Sequence, residues 1–348
     1  SLDCEVILFY PPDSKRDYFR DLIGKNCCAV IDLPSDPILS CERVLKEHLD
    51  VLFYPEIGMS PFTYQLALSR LAPIQMTSWG HPNTTGLSTI DYFISSSLIE
   101  SADAQDHYTE QLVRLSRLPC IYNMPIINSK SIARSSFKEL PNDRLLIGIP
   151  QSLFKFHPDY DKTLERIATE VPSAYFVLID GNNTLQTQRL TDRWKSIAPT
   201  FINNSVFLPR MCRDTYLELL DTVDLLLDPF FFGSGNTFYE SMAIGTPVIT
   251  MPGKYMRGRL VAGGYQQMKL ENAPVASNPD EYVEWCRRLA ESKELRDKLK
   301  EDIRNAAQKH LFNDQKAGDE FVEFIFAAIQ SERAGQKLPL GWHTAKEF

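Results

Sequence analysis

The chain has 348 residues, of which 43% are hydrophobic and 24% are charged, and its formal net charge is −8 at pH 7. A chain of this length buries a substantial apolar core, and its length favours two domains over one. The acidic excess argues against a nucleic-acid-binding surface, which needs clustered Lys and Arg to neutralise phosphates.

Two further features of the composition indicate where the protein works. No apolar run approaches the roughly 20 residues that a membrane helix needs, and no signal-peptide pattern opens the chain. The seven cysteines are scattered and lack the paired spacing of a zinc site, which favours free thiols in a reducing compartment. We therefore expect a cytoplasmic protein, or a nuclear one in a eukaryotic cell, that neither inserts into a membrane nor binds nucleic acid.

Strands and helices alternate along the first part of the chain. Apolar runs of strand length occur at residues 5–10, 28–33, 50–54, 72–77 and 91–94. Helical patterns lie between them, for example at residues 37–48, so the alternation predicts a parallel sheet with crossover helices. A loop rich in Gly, Pro, Asn and Thr at residues 80–86 follows the fourth run, at a strand end where open α/β sheets place ligands.

A second alternating series follows residues 118–143, a segment rich in Pro, Asn, Ser and Lys that is typical of a connection between domains. Its predicted strands are residues 145–149, 174–179, 205–208, 224–228 and 246–250. The sequence thus predicts an α/β fold with two Rossmann-like domains that face a central cleft. We expect an incomplete N-terminal Rossmann-like domain at residues 1–135 and a second domain at 140–310. A C-terminal helix and tail should follow at 311–348.

The most informative stretch joins a predicted strand to a glycine-containing loop and a helix. Backbone N–H groups at a helix N-terminus lack partners and are partly positive, so Gly235, Asn236 and Thr237 would hold a diphosphate. Glu240 lies one turn into the helix, where its carboxylate would accept both hydroxyls of a ribose. The alternative is an ordinary strand-to-helix turn that is capped by Asn236 or Ser234.

Four blocks of sequence resemble, in order along the chain, the catalytic region of the protein O-GlcNAc transferase and SPINDLY family. They lie at residues 70–75 with 79–86, 150–158, 207–216 and 227–253. The resemblance implies a GT-B fold and an inverting transfer of a sugar, with GlcNAc from UDP-GlcNAc favoured, onto Ser or Thr of a protein or peptide acceptor. It also implies that the first domain lies on the acceptor side and that the second binds the nucleotide sugar.

The same resemblance assigns roles to single residues. Lys155 would neutralise the charge that grows on the departing diphosphate, and Gln151 would offer its amide to the phosphates or the nucleoside. Met211, through its backbone, and Arg213 would meet the uracil edge. Tyr216 stands where the animal enzymes commonly have a histidine that stacks on the base, and its aromatic face would do the same. A solvated lysine and a packed helical tyrosine are the alternatives for Lys155 and Tyr216.

The general base is not marked by a motif. Many family members have the sequence G-H-T after the third strand, whereas residues 58–60 of this chain are Gly-Met-Ser. Glu56 and His81 are the nearby titratable candidates, and histidine is the residue type whose charge changes near neutral pH. His81 would otherwise brace its loop, and the donor phosphate itself is a further candidate for the proton acceptor.

No acidic cluster of D-x-D character follows a predicted strand, so we expect no metal and no cofactor apart from the donor substrate. Three other functions fit the same residues: O-fucosyl transfer from GDP-fucose, N-glucosyl transfer from UDP-glucose, and a non-catalytic scaffold that binds a nucleotide. The family usually carries tetratricopeptide repeats before the catalytic region and this chain shows none, so we expect a fragment of a longer protein.

Overall fold

A computed structural model describes residues 4–127 and 137–343, and the chain divides into two units. Unit 1 comprises Ser1–Ser95, Ala102–Leu115 and Glu320–Phe348, and unit 2 comprises Ser96–Ser101 and Ser116–Asp319. Unit 1 is therefore assembled from segments that lie far apart in the sequence. Within the described residues, no helix is both long enough and apolar enough to cross a membrane.

Unit 1 contains a two-stranded sheet and a four-stranded sheet in its described part. The two-stranded sheet pairs β1 (Ile7–Tyr10) with β2 (Ala29–Asp32) in parallel. The four-stranded sheet has the order β3 (Val51–Tyr54), β4 (Ile74–Ser78), β5 (Tyr92–Ser96) and β6 (Gln111–Leu115). Its first three strands are parallel. The helices between these strands are α1 (Tyr18–Gly24), α2 (Pro37–Leu45) and α3 (Pro61–Ala67). The five predicted strands of this half are present, and β6 is an addition.

Unit 2 is built on a five-stranded parallel sheet with the order β11-β10-β7-β8-β9. Its strands are β7 (Leu145–Ile149), β8 (Ala174–Ile179), β9 (Ser205–Leu208), β10 (Leu225–Leu227) and β11 (Val248–Ile249). The chain starts in the centre at β7, moves outward through β8 and β9, and returns to the other side for β10 and β11. The order in which strands are added to the sheet thus changes sides between β7 and β10, which makes this a topological switch point. Open parallel sheets bind ligands at the carboxyl ends of the strands beside such a point.

Helices join and flank the strands of unit 2. They are α4 (Pro158–Glu170), α5 (Thr184–Ile197), α6 (Pro199–Asn203), α7 (Arg213–Thr222), α8 (Asn236–Ile244), α9 (Leu260–Met268), α10 (Pro279–Glu291) and α11 (Lys293–His310). Helix α12 (Gln315–Arg333) follows and contributes to unit 1 from Glu320 onward. Local sequence explains several starts, because the side chains of Asp36, Asn183 and Asn278 accept backbone N–H groups at the beginnings of α2, α5 and α10.

Each unit has a core of its own. In unit 2, Trp194, Phe156 and Phe201 pack edge to face with ring centroids 5.0–5.3 Å apart, and they are buried. In unit 1, the ring of Phe324 from α12 lies 5.2 Å from that of Tyr92 and joins a cluster with strands β4, β5 and β6. The C-terminal helix predicted from the sequence thus packs against the four-stranded sheet of unit 1.

Candidate active site

The two strands beside the switch point of unit 2 lead directly into the predicted site. After β7 the chain passes Gln151 and forms a short 3-10 helix, Leu153–Lys155. After β10 it passes Asp228 and runs through a loop with Gly233 to the start of α8. Because β7 and β10 are neighbours in the sheet, these two loops meet at its carboxyl edge.

Lys155 is held in place by both loops. Its Nζ donates to Oε1 of Gln151 at 3.0 Å and to the carbonyl oxygen of Gly233 at 2.7 Å, and it lies 4.4 Å from the centroid of the Phe232 ring. Burial lowers the pKa of Lys155, and the charge of Asp228 acts in the opposite direction. Among the described residues two oxygens accept from this ammonium, so its third N–H is available to a ligand. Lys155 is therefore not the solvated lysine of the alternative interpretation.

Close to Lys155 in this site, the buried Asp228 accepts three hydrogen bonds. It was not predicted as a site residue. Its Oδ1 accepts from the backbone N–H of Ser234 at 2.7 Å and from the Ser234 hydroxyl at 2.8 Å, and its Oδ2 accepts from Thr250 at 2.9 Å. Gln151 Nε2 donates to the same Ser234 hydroxyl at 2.9 Å. Burial raises the pKa of Asp228, while these hydrogen bonds and the charge of Lys155 oppose the rise. The sequence signal was its position at the end of a strand.

The N-terminus of α8 is open. Gly235 is the residue before the helix, no side chain caps it, and Gly235 and Asn236 are exposed. The hydroxyl of Ser234 is bonded to Asp228 instead, so neither Ser234 nor Asn236 acts as the cap that the alternative interpretation requires. Backbone N–H groups at such an end favour an anion.

Four predicted nucleotide-binding residues form two pairs beside this helix. The hydroxyls of Tyr216 and Thr237 are 2.8 Å apart. Arg213 Nε lies 3.5 Å from Oε1 of Glu240, whose side chain is 10% exposed, whereas that of Arg213 is 57% exposed. Burial raises the pKa of both Glu240 and Tyr216, and Arg213 opposes the rise at Glu240. The sequence interpretation gave Arg213 and Glu240 separate roles, and it did not predict that they form an ion pair.

A cavity of about 540 Å³ opens among the loops that follow β7, β8 and β9. Five of the predicted binding residues line it: Gln151, Met211, Arg213, Tyr216 and Thr237. The segment after β8, residues 180–183, and Gln186 also line it and were not predicted as site residues. Their signal was a polar Asp-Gly-Asn-Asn turn at the carboxyl end of a predicted strand.

The two candidate bases lie on neighbouring loops of unit 1, after β3 and β4. A Cβ added to Gly58 would come within 2.8 Å of the His81 ring, and one added to Gly80 would come within 1.9 Å of the Pro55 carbonyl oxygen. Gly80 also lies close to the backbone of Glu56, since its added Cβ would be 3.4 Å from the Glu56 Cα. The absence of side chains at both glycines thus permits the close approach of the loops that carry Glu56 and His81.

Unit 1 also gives structural roles to both segments of the first block, residues 70–75 and 79–86. Arg70 forms a two-point ion pair with Asp91, one contact being 3.0 Å, and the buried Gln75 accepts from the backbone N–H of Leu71 at 2.8 Å. In the loop at residues 80–86, Thr84 and Thr85 donate to the buried Glu110. Glu110 was not predicted from the sequence, because it lies 25 residues away from the loop that it holds.

No metal-binding group emerges from the described ranges 4–127 and 137–343. Within them, no set of three or more His, Cys, Asp or Glu side chains is arranged to hold a metal ion. The seven cysteines are free.

Several curated proteins are similar to this chain, although no protein-family model matches it. The UDP-glucose:protein N-beta-glucosyltransferase of Actinobacillus pleuropneumoniae serotype 5b is 26% identical over 284 residues, which cover 80% of this chain and 45% of that protein. The probable UDP-N-acetylglucosamine–peptide N-acetylglucosaminyltransferase SPINDLY of Solanum lycopersicum is 28% identical over 329 residues, which cover 91% and 34%. The chain thus spans less than half the length of these relatives.

Solved structures agree on the fold. An O-GlcNAc transferase mutant from Thermobaculum terrenum superposes with a TM-score of 0.78 at 23% identity, over 95% of this chain and 62% of that one. Anabaena HepE in complex with UDP and glucose superposes with a TM-score of 0.61 at 12% identity, over 93% and 100%. The predicted α/β, GT-B fold is confirmed. In sequence, the chain is similar to SPINDLY-type enzymes, which the four blocks also resemble, and to bacterial protein N-glucosyltransferases.

Proposed function

We propose that this chain transfers GlcNAc from UDP-GlcNAc to Ser or Thr hydroxyls of protein acceptors, with inversion and without a metal ion. The observation that carries the proposal is the Lys155 ammonium, fixed between Gln151 and Gly233 beside the open start of α8. The SPINDLY relatives, whose names give this donor and a peptide acceptor, support it.

In this proposal the nucleoside diphosphate occupies the 540 Å³ cavity of unit 2. The phosphates lie at the N–H groups of Gly235, Asn236 and Thr237, and Glu240 holds the ribose. As the glycosidic bond breaks, negative charge grows on the diphosphate, and the fixed ammonium of Lys155 stabilises it more in the transition state than in the ground state. Fixed N–H groups and an ammonium thereby do the work that a cation does in other transferases.

The remaining predicted contacts concern the base of the nucleotide. Met211 offers its backbone and Arg213 its guanidinium to the uracil edge, Tyr216 offers an aromatic face, and Gln151 binds a phosphate or the nucleoside. All four residues line the cavity, which supports this arrangement. We retain the division into an acceptor-side domain at residues 1–135 and a donor-binding domain at 140–310.

The acceptor hydroxyl must lose its proton. Glu56 and His81 remain our two candidates for the base, and their adjacent loops support treating them together. The third route, transfer of the proton to a donor phosphate oxygen, needs neither side chain. Variants at both positions separate the routes, since the third predicts that each retains activity.

N-glucosyl transfer from UDP-glucose is a second candidate function, because relatives from Actinobacillus pleuropneumoniae carry that name. The two candidates differ in the bond formed to the acceptor. Alkaline β-elimination releases a sugar from Ser or Thr but leaves one that is attached to Asn. Peptide labelled from UDP-GlcNAc and UDP-glucose, followed by this treatment, therefore identifies both the donor and the linkage.

A thermal-shift comparison of UDP, GDP and ADP tests the donor assignment. Because a ligand that binds the native state stabilises it by mass action, UDP at 100 times its Kd should add about 2.7 kcal/mol. We expect UDP to raise the melting temperature more than GDP or ADP. A response to GDP alone would favour GDP-fucose as the donor, and a response to none of the three would reject the nucleotide site. Binding of UDP without transfer from any nucleotide sugar would support the non-catalytic scaffold.

A further inference from the structure

A continuous chain of hydrogen bonds, which we call the Asp228 network, joins four side chains of unit 2: Asp228, Ser234, Gln151 and Lys155. The direction of each hydrogen bond in it is fixed, because the Lys155 ammonium and the Gln151 Nε2 group can only donate. The Gln151 amide donates through Nε2 to the Ser234 hydroxyl, so that hydroxyl must give its own hydrogen to Asp228 Oδ1. The other end of the same amide, Oε1, accepts from Lys155 Nζ. The buried carboxylate thereby fixes which end of Gln151 faces the ammonium.

The second oxygen that holds Lys155 also depends on Asp228. This oxygen is the carbonyl of Gly233, at 2.7 Å from Nζ. Gly233 packs so closely on the carboxylate that an added Cβ would lie 2.5 Å from Asp228 Oδ2. The carboxylate also accepts the backbone N–H of Ser234, the next residue, which fixes the course of the loop.

We infer that Asp228 is a positioning residue for Lys155: it sets both oxygens that orient the ammonium, Gln151 Oε1 through Ser234 and the Gly233 carbonyl through the loop. This inference rests on the proposed function, in which Lys155 stabilises the leaving diphosphate. A lysine side chain has a flexible four-carbon stem, so an ammonium without such anchors would sample many positions. Holding it in one position removes that reorganisation from the reaction step.

The charge of Asp228 adds to its positional role. Asp228 is the carboxylate whose charge acts on Lys155 and opposes the effect of burial on the pKa of that lysine. The next titratable side chains along the chain are His157 and Asp159, whose Nδ1 and Oδ2 atoms lie 3.5 Å apart. The other contacts of the ammonium, with Gln151, Gly233 and Phe232, are neutral. Loss of the negative charge at Asp228 would therefore favour the uncharged form of Lys155.

The test is a double-mutant cycle between Ser234→Ala and Lys155→Ala, with UDP-GlcNAc as the donor. Ser234→Ala removes the hydroxyl that links the network but keeps the backbone N–H bonded to Asp228. We expect it to lower kcat by about tenfold to 10²-fold, since small misplacements of a catalytic group cost this much, and to change KM less. In the Lys155→Ala background, Ser234→Ala should have no further effect on kcat, because residues that act as a unit are not additive.

Thr246→Val is the matched control for the cycle. It removes another buried hydroxyl of unit 2, one that donates to the Leu220 carbonyl outside the network. We expect this variant to keep the native kcat even if its melting temperature falls. An unchanged kcat in Ser234→Ala, or an equal loss in both the native and Lys155→Ala backgrounds, would overturn the inference.

A second measurement distinguishes failure of this inference from failure of the proposed function. The network exists in the free protein, so the titration of Lys155 can be followed by NMR of its ¹³Cε without any turnover. We expect a lower pKa for Lys155 in Asp228→Asn, which removes the charge, and in Ser234→Ala, which releases the Gln151 acceptor. An unchanged titration in both variants would refute the positioning role, whether or not the native chain transfers sugar.

Discussion

Lys155 and Glu240 are two charged residues near the start of α8, and their surroundings suit them to different roles in catalysis and binding. Lys155 lies among neutral oxygens and an aromatic ring, with one N–H available among the described contacts. Glu240 already faces a cation, because Arg213 lies 3.5 Å from its carboxylate. The first arrangement is suited to charge that appears during a reaction, and the second to a ligand group that is the same before and during it.

The two residues should therefore fail in different ways. We expect Lys155→Ala to lower kcat by about 10² to 10³, the usual cost of removing one preorganised electrostatic group. We expect Glu240→Ala to raise KM for the donor with a smaller effect on kcat, since a ribose contact is made equally in both states. Steady-state kinetics with varied UDP-GlcNAc separates the two parameters.

Lys162→Ala provides the control, because Lys162 is an exposed lysine of α4 in the same unit. Its kcat and KM should stay native. A Lys155→Ala variant with native kcat, together with a Glu240→Ala variant without chemistry, would reverse the two assigned roles.

At the scale of elements, the sequence predicts strands and helix starts better than it predicts the contacts between loops. All ten predicted strands are present, and the glycine loop does lead into a helix with an open N-terminus. These features are local, because apolar runs and glycines act over a few residues. The bond from Gln151 to Ser234 spans 83 positions and the bond from Lys155 to Gly233 spans 78, and both form only when β7 and β10 become neighbours.

The sequence analysis did not predict the Arg213–Glu240 ion pair or the hydrogen bonds from Thr84 and Thr85 to Glu110, for the same reason. Arg213 begins α7 and Glu240 lies in α8, and only the packing of these two helices brings the charges together. Sequence spacing gives each residue a type and a helical position, but it does not give the partner across a helix interface. The resemblance to a known family singles out Lys155, but it does not indicate the two oxygens that hold its ammonium.

In the loop between β10 and α8, a side chain at Gly233 should lower stability. In Gly233→Ala, the new Cβ would lie 2.5 Å from the Asp228 carboxylate, so the loop or the carboxylate must move. We expect a loss of about 1–3 kcal/mol in the free energy of unfolding, as for other overpacked sites, together with a lower kcat. Urea unfolding measures the first effect and donor turnover the second.

Gly253→Ala is the comparison variant for this loop. Its added Cβ would come no closer than 3.5 Å to the Phe230 carbonyl oxygen, which is an ordinary contact. Its stability should stay within about 0.5 kcal/mol of the native value. Equal stability of the two alanine variants would contradict the close packing of Gly233 on Asp228.

For the whole molecule, the division into two units predicts which segments a bound nucleotide protects from hydrogen exchange. The cavity is lined by residues of unit 2 alone. Hydrogen exchange followed by mass spectrometry should therefore show that UDP protects the segments 150–155, 180–183, 210–216 and 233–237 more than it protects β3 and β4 of unit 1. The largest protection in unit 1, or uniform protection over the chain, would contradict the assignment of the cavity to the nucleotide.

The packing of α12 on the four-stranded sheet of unit 1 has a consequence for how the protein emerges from the ribosome. Phe324 and Ala328 complete the cluster that contains Met76 and Tyr92, yet about two hundred residues of unit 2 are translated in between. Synthesis from the N-terminus usually lets early segments fold first. Here unit 1 cannot be completed first, because all of unit 2 is translated before the part of α12 that covers the β4–β6 sheet. The nascent chain thus holds an uncovered apolar face of this sheet while unit 2 is translated, and during that interval the face is open to chaperones and to misassembly.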